Sequence, residues 1–467
     1  MINLLIILFV YFVSFKDKPD STTPQLSPRA IEQRAKWHIA NDELDYPVSA
    51  AYLNQVRAKG GTIHHVSRWF NGATVEMTVA QANAVSQLAC VKSVEMTRDD
   101  SDPIYLRKRM PSYLRSQQAP LASSNYTDDQ LQLYNLPPLH AAGFEGQGIL
   151  MTVCDGGFQN ANTLSCFRQS QELGHFDFTD DEDDFYGSTG DHGTKCLSVI
   201  SGNANKFYGA ATKADYYLMR SEEVEHESPK EMDNLVAALE KSDSLGVNVF
   251  SVSLGYAMFD NDDWTLPKSA LDGKSTRVSL AATIAARKGM LVCVAAGNEG
   301  DDNWHTISVP ADADSILTVG AVDTDGKIGS FSSYGPSADG RIKPEVCAVG
   351  VDACVWSPYG FATYSNGTSF ATPLLAGMAA ALWSALPDEN AMQIRERIIR
   401  SSDRYTNPSV SRYGYGIPDA WKAYTMSLNE GIPIVHDDAQ AMKILRNGQV
   451  LIIRGDEVYT ITGQRVE

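Results

Sequence analysis

Three polar residues lie in sequence settings that suit acyl-transfer chemistry. Ser369 follows Asn366-Gly367-Thr368 and precedes a run of small apolar residues, which predicts a hydroxyl at the start of a tightly packed helix. A serine hydroxyl is a useful nucleophile at neutral pH only when a base accepts its proton and a third group orients that base. His192, between Asp191 and Gly193, is the candidate base, and Asp155 is the candidate carboxylate.

The elements around these residues predict an α/β fold. Residues 149–154 and 291–296 are unbroken apolar runs, typical of strands buried on both faces of a sheet. The first run ends at Asp155 and the second at Gly297-Asn298. Doubly wound parallel sheets, with helices on both faces, place their sites at such strand ends. The Asn298 amide is therefore a candidate donor to the oxyanion that forms when a hydroxyl attacks a carbonyl.

The order Asp155, His192, Asn298 and Ser369, with these flanking residues, resembles the subtilase family of serine peptidases. The resemblance runs from about residue 136 to about residue 420 and implies a subtilisin-like fold. It implies that Ser369 is the nucleophile and that His192 acts as general base and then general acid. It further implies that Asp155 orients His192. Asn298 and the Ser369 backbone N–H would stabilise the oxyanion.

The resemblance also implies two walls of a substrate cleft. Ser251-Val252-Ser253-Leu254-Gly255 is similar to the segment that pairs with an extended peptide as an added strand, and Ala295-Ala296-Gly297 would form the other wall of the primary specificity pocket. Strand addition satisfies the peptide backbone without regard to its sequence, so side-chain pockets alone set preference. We therefore expect an endopeptidase that accepts many protein and peptide substrates.

Two departures from the family pattern lie beside the candidate triad. Asp155 is followed by Gly156, where the family usually has Thr or Ser, so one hydroxyl near the carboxylate is missing. Lys195-Cys196-Leu197-Ser198 replaces the common Val-Ala-Gly continuation after His192, and Cys196 resembles a free cysteine that some subtilases carry there. Two alternatives to a general protease stay open. One is a catalytically silent scaffold or adhesin with the subtilase fold, and the other is a protease restricted to its own processing.

Length and charge indicate a large soluble enzyme. The chain has 467 residues, of which 43% are hydrophobic, which is ample for a large core. A formal net charge of −18 argues against nucleic acid or an anionic membrane as a partner. We expect a monomer that needs no cofactor.

The chain divides into four predicted parts. Residues 1–21 contain an apolar stretch that is typical of a secretory signal peptide, although no basic residue precedes it, and an uncleaved anchor is the alternative. Residues 22–120 comprise a small α+β module and a linker. The module resembles the inhibitory propeptide of subtilases, an intramolecular inhibitor, and an unrelated binding domain is the alternative. Residues 121–428 form the catalytic domain. These features predict a bacterial protein that is secreted or held at the cell surface.

The fourth part, residues 429–467, alternates short apolar stretches with turn residues and is expected to form a short β module. It is similar to the C-terminal sorting modules of bacteria with type IX secretion, and a plain β accessory domain is an equal alternative. The linker, residues 99–129, is polar and includes Arg107-Lys108-Arg109, and we expect processing between residues 115 and 129.

Two further patterns concern metals and thiols. Residues 177–184 form an acidic run in which Asp180, Asp181 and Asp183 are candidate ligands of a structural Ca²⁺, although most such runs are only solvated. Of the seven cysteines, Cys347 and Cys354 are close enough in sequence to pair across a loop, but spacing does not establish a disulfide.

Overall fold

The computed structural model describes residues 8–19, 23–99, 126–179, 184–187, 190–223 and 227–427, and the backbone of three strands between residues 442 and 460. The contacts divide the chain into two units, Met1–Tyr424 and Thr425–Glu467. No helix in the described ranges is both long enough and apolar enough to span a membrane.

The N-terminal part of the larger unit is a four-stranded antiparallel sheet covered by helices. Its strands are β1 (Phe9–Phe15), β2 (Thr62–Ser67), β3 (Gly72–Met77) and β4 (Val91–Asp99), in the spatial order β2-β3-β1-β4. Its helices are α1 (Pro28–Lys36), α2 (Ala50–Ala58) and α3 (Val79–Ser86). The sheet and its helices agree with the small α+β module predicted in this part of the chain.

Strand β1 lies within the segment predicted as a signal peptide. It is an inner strand, paired with β3 on one side and β4 on the other, and Val10 and Val13 are completely buried. Residues 9–15 therefore lie within this sheet, and the signal peptide over residues 1–21 stays a prediction. A short apolar run fits either a signal-peptide core or a fully buried strand, and its periodicity does not distinguish them.

A seven-stranded parallel sheet lies at the centre of the larger unit, in the order β13-β12-β11-β10-β5-β9-β6. These strands are β5 (Leu150–Asp155), β6 (Glu172–Asp177), β9 (Asp215–Arg220), β10 (Val249–Val252), β11 (Leu291–Ala295), β12 (Leu317–Val322) and β13 (Val346–Val349). Two short antiparallel pairs accompany the sheet: β7 (Asn203–Ala204) with β8 (Phe207–Tyr208), and β14 (Ala353–Trp356) with β15 (Ala362–Ser365).

Helices cover both faces of this sheet. They are α4 (Asp128–Gln132), α5 (Pro137–Ala141), α6 (His192–Ser201), α7 (Pro229–Leu245), α8 (Arg277–Arg287), α9 (Thr368–Ala385), α10 (Ala391–Ser401) and α11 (Ala420–Thr425). Met151 and Val153 of β5 pack in a core with α6 and α9, whereas Leu150 and Cys154 pack in a second core with α7 and α8. The alternation buries β5 on both faces, which confirms the predicted doubly wound α/β fold.

In the smaller unit, β16 (Met442–Arg446), β17 (Gln449–Arg454) and β18 (Glu457–Thr460) form a three-stranded antiparallel sheet. The strands match the alternation of apolar and turn residues in the sequence. A sorting role for this unit stays a prediction.

All seven cysteines are buried free thiols. Cys347 and Cys354 therefore do not pair. Cys347 lies in β13, where its sulfur is 3.6 Å from the Tyr413 carbonyl oxygen, and Cys354 lies in β14 beside Gln130. Asp180, Asp181 and Asp183 lie outside the described residues.

Candidate active site

Asp155 and His192 are in direct contact at the carboxyl edge of the sheet. Asp155 is the last residue of β5, His192 is the first residue of α6, and His192 Nδ1 is 2.8 Å from Asp155 Oδ1. Both residues are buried. Burial disfavours the charged imidazolium, but the attraction of the Asp155 carboxylate outweighs it and raises the pKa of His192 well above its usual value. The arrangement suits a histidine that gains a proton during a reaction.

The second carboxylate oxygen of Asp155 has a different environment. Oδ1 also accepts the Gly156 backbone N–H at 2.8 Å. Oδ2 is buried and has no hydrogen-bond partner among the described residues. Because Gly156 has no side chain, the hydroxyl that the family usually offers at this position is missing. The unpartnered Oδ2 atom of Asp155 is therefore the structural counterpart of the Gly156 departure from the family pattern.

Cys196 lies one helical turn after His192 and contacts both sides of the site. Its sulfur is 3.8 Å from His192 Nδ1 and donates to the Ser369 backbone carbonyl at 3.3 Å. Burial raises the pKa of the Cys196 thiol, so it stays protonated near neutral pH. The Ser253 hydroxyl donates to the same Ser369 carbonyl at 2.7 Å. Two donors thus hold the backbone at the start of α9.

Ser369 is the second residue of α9 and is almost completely buried. Its hydroxyl donates to the Ser253 carbonyl at 3.4 Å, which is long for such a bond and leaves the hydroxyl easy to redirect. The Phe370 and His192 rings are 5.5 Å apart between centroids. Gly367, before the helix, has a φ of 152°, a value that side chains rarely permit. The fold therefore brings Ser369 beside the Asp155–His192 pair.

Asn298 is oriented by the residue that precedes Ser369. Its Oδ1 accepts the backbone N–H of Thr368 at 2.8 Å and the Thr368 hydroxyl at 3.0 Å. With the oxygen held there, the amide nitrogen is left to donate to a group at the start of α9. Glu299 supports this geometry, since its carboxylate accepts the Asn298 backbone N–H at 2.8 Å and the Ser333 hydroxyl at 2.9 Å. The sequence analysis missed Glu299, although it directly follows Asn298.

The two predicted walls of the cleft lie at the same edge of the sheet. Ser253, Leu254 and Gly255 follow β10, and the segment 295–297 begins with the last residue of its parallel neighbour β11. Leu254 is buried, whereas Gly255 is exposed. Their contact with a substrate stays a prediction.

The N-terminal part of the larger unit is joined to helix α7 and to the residue after α8 through buried ion pairs that the sequence does not reveal. Arg34 contacts Asp243 at 2.7 Å and Asp45 at 2.6 Å, and Arg68 contacts Asp243 at 2.5 Å. Lys288 adds a contact to Asp45 at 2.8 Å. All five residues are at least nine-tenths buried. Because the partners are far apart along the chain, no local pattern predicts these pairs.

Removing one of these buried cations is expected to destabilise the protein strongly. In a Ser369→Ala background that prevents processing, Arg34→Met leaves two buried carboxylates short of a partner. We expect a loss of about 3–5 kcal/mol in urea unfolding. Lys36→Met is the control, since the Lys36 ion pair with Asp388 is exposed and should contribute less than about 1 kcal/mol. Similar losses for the two variants would contradict the prediction.

Comparison with known proteins places these features in one family. The model of the Subtilase family matches residues 140–416, and the model of the peptidase S8 propeptide domain of Bacteroidota matches residues 10–111. The second match includes most of β1, in agreement with its place in the sheet.

Individual relatives support the same family assignment. Subtilisin DY of Bacillus licheniformis is 30% identical over 292 residues, which are 61% of this chain and 93% of that protein. Subtilisin NAT of Bacillus subtilis subsp. natto is 26% identical over 349 residues, which are 74% of this chain and 82% of that protein. The crystal structure of MycP1 from Mycobacterium smegmatis covers 70% of this chain and 91% of its own, with a TM-score of 0.55 and 20% identity, which shows the fold alone. The chain belongs to the subtilase family and is a subtilisin-like serine peptidase with an N-terminal propeptide domain.

Proposed function

We propose that this chain is a secreted endopeptidase that hydrolyses peptide bonds in proteins through an acyl-enzyme on Ser369. The observation that carries the proposal is the buried hydrogen bond between Asp155 and His192 beside the start of α9. A base with a raised pKa, next to a serine at a helix start, is what nucleophilic acyl transfer requires.

The proposed reaction begins with a peptide extended between residues 253–255 and residues 295–297. His192 accepts the Ser369 proton as Oγ attacks the carbonyl carbon, and the Asp155 carboxylate stabilises the imidazolium. The Asn298 amide and the Ser369 backbone N–H donate to the oxyanion. His192 then protonates the leaving amine, and water hydrolyses the acyl-enzyme by the same route.

No step of this reaction uses a cofactor. A structural Ca²⁺ in the acidic run stays a proposal for Asp180, Asp181 and Asp183 alone. The neighbouring Asp177 does not fit a ligand role, because Oδ2 contacts Arg220 at 2.6 Å and Oδ1 accepts both the backbone N–H and the hydroxyl of Thr179.

The propeptide is proposed to inhibit the enzyme until the linker is cut between residues 115 and 129. The ion pairs of Arg34 and Arg68 with α7 support a tight association before that cut. Such a zymogen suits a monomeric enzyme that becomes active after export, where proteins and peptides are its partners and nucleic acid is not. The C-terminal β unit is proposed to serve sorting or surface attachment.

Expression of the full chain beside Ser369→Ala tests this function. The complete N-terminus is needed because β1 is an inner strand of the propeptide sheet. We expect only the wild type to lose about its first hundred residues, to react with a fluorophosphonate and to digest casein. A folded wild type that does not react with the probe would favour the silent scaffold. Processing without digestion of denatured casein would favour a protease restricted to itself.

Asn298→Ala is expected to lower kcat by about 10²–10³, the range found for the oxyanion asparagine of subtilisin, a relative. The variant removes a donor that acts mainly on the transition state, so KM should change little. Asn366→Ala is the control, because that side chain accepts the Asp352 backbone N–H instead. Steady-state peptide hydrolysis measures kcat and KM for the two variants. A loss as large as that of Ser369→Ala would contradict the assigned role.

A further inference from the structure

We propose that the propeptide domain, residues 9–99, stays bound to the catalytic domain as a noncovalent subunit after the linker is cut, so that the mature enzyme is a complex of two chains. The inference rests on the proposed processing of the linker and goes beyond it, because it names the partner that the catalytic domain keeps. The observation that carries it is a set of contacts made by residues 23–46, here called the edge segment, at the edge of the parallel sheet opposite the candidate active site.

The edge segment, which includes α1, contacts residues that immediately precede three neighbouring strands of the parallel sheet. The Arg29 guanidinium donates to the Gly148 carbonyl at 3.2 Å, two residues before β5, and to Asn248 Oδ1 at 2.7 Å, one residue before β10. Ile39 packs against Gly289, two residues before β11, and its Cδ1 lies 2.8 Å from the position that a Cβ of residue 289 would take. The edge segment therefore crosses the amino ends of β5, β10 and β11.

The same three strands carry the candidate active site at their other ends. Asp155 is the last residue of β5, Ser253 directly follows β10, and Ala295 is the last residue of β11. At about 3.3 Å per residue, the chain from Gly148 to Asp155 is roughly 20 Å long. Contacts at the amino edge therefore do not compete with a peptide at the carboxyl edge, and the edge segment does not have to leave before a substrate reaches Ser369.

Charged groups of the edge segment are paired with the catalytic domain. Arg34 Nη2 donates to both carboxylate oxygens of Asp243, at 2.7 and 2.8 Å, and Lys288 contacts Asp42 and Asp45 at 2.8 Å each. Asp42 is partly exposed, whereas the other four residues are at least nine-tenths buried. Removal of one partner from a buried charge pair acts mainly on the dissociation rate of a complex. These pairs therefore favour slow release of the cleaved domain.

The sheet of the propeptide domain provides a second, separate anchor on α7. Trp69, in the turn between β2 and β3, is 4% exposed and lies in the same apolar cluster as Leu235 and Leu239 of α7. The Arg68 backbone N–H donates to Glu240 Oε2 at 2.9 Å beside it. A desolvated tryptophan is one of the residues that contribute most to interface affinity. Because the sheet and the edge segment belong to one domain, each anchor holds the other at a high effective concentration, and both must release before the domain leaves.

A cut made independently of self-processing tests the inference. The full-length Ser369→Ala chain carries a C-terminal tag and, between residues 110 and 111, an inserted recognition sequence for a site-specific protease. After complete cleavage, the complex is diluted to about 10 nM, and the N-terminal chain that remains with the tagged chain is measured over time. We expect a 1:1 complex with a half-life on the order of an hour or longer, which corresponds to a Kd of about 1 nM or below at an ordinary association rate.

Substitutions in the edge segment show whether it is an anchor. Arg29→Met removes the donors at the amino edge and should speed dissociation about tenfold, since charged hydrogen bonds are lost. Arg34→Met should speed it at least about 100-fold. Arg57→Met on α2 is the control, because Arg57 contacts Asn54 of the same domain at 3.1 Å, and its rate should stay within about twofold of the parent. If the uncut Arg34→Met chain does not unfold cooperatively, Arg29→Met alone decides.

The outcomes separate this inference from the proposed function. Loss of the N-terminal chain within minutes, or an Arg29→Met rate equal to that of Arg57→Met, would overturn the inference. In the self-processed wild type, we expect the N-terminal chain to co-purify with the fluorophosphonate-labelled enzyme. A labelled wild type without that chain would overturn the inference and leave the endopeptidase in place. A wild type that neither cuts its linker nor labels would contradict the proposed function, and the cut Ser369→Ala chain would still decide whether the domain stays bound.

Discussion

Ser369→Ala is expected to lower kcat for peptide hydrolysis by about 10⁶, the order found for the triad serine of subtilisin, a relative. The variant has no nucleophile, so only binding and oxyanion stabilisation contribute to the residual rate. KM should change little, because the methyl group occupies the same space. The measurement is steady-state hydrolysis of one peptide, with active sites of the wild type counted by a fluorophosphonate.

A second serine on the same helix provides the matched control. Ser384, near the end of α9, donates its hydroxyl to the Ala381 carbonyl at 2.7 Å and lies away from the Asp155–His192 pair. Ser384→Ala should hydrolyse the peptide within about twofold of the wild type and should still lose its propeptide. Residual activity of Ser369→Ala above about 1% of the wild type would show that another group is the nucleophile.

Asp155→Asn is expected to lower kcat by about 10⁴. The amide no longer stabilises the imidazolium, and it favours the wrong tautomer of His192. The variant should also change the dependence on pH. The enzyme needs neutral His192, so wild-type kcat/KM should rise with pH through a pKa above the usual value of about 6.5. Without the carboxylate, burial lowers the pKa of His192, so the rise should move to lower pH.

Asp191→Asn is the control for this prediction, because Asp191 precedes His192 but forms its ion pair with Lys195 at 2.7 Å. Its kcat should fall less than about tenfold, and its pH profile should keep the wild-type midpoint. If the Asp155→Asn profile keeps that midpoint as well, Asp155 does not set the pKa of His192.

Short-range patterns were sufficient to predict the candidate site. Asp155, His192, Asn298 and Ser369 each lie at the end of a strand or the start of a helix, and the apolar runs and glycines beside them are local signals. The alternation along β5, which packs against both cores, follows from the unbroken apolar run 149–154. Family membership follows from the order of these motifs. None of these inferences needs knowledge of which distant segments touch.

Contacts between distant segments determine the strand pairing of β1 and the partners of the buried charges. The apolar run that forms β1 has a sequence compatible with a signal peptide or a buried strand, and its pairing with β3 and β4 becomes evident only in the tertiary structure. The partners of Arg34 and the missing partner of Asp155 Oδ2 among the described residues are likewise products of packing. Local sequence determines the type of each element because hydrophobic period and capping act over a few residues. The neighbours of a buried charge depend on how the whole chain packs, and no short stretch of sequence contains that information.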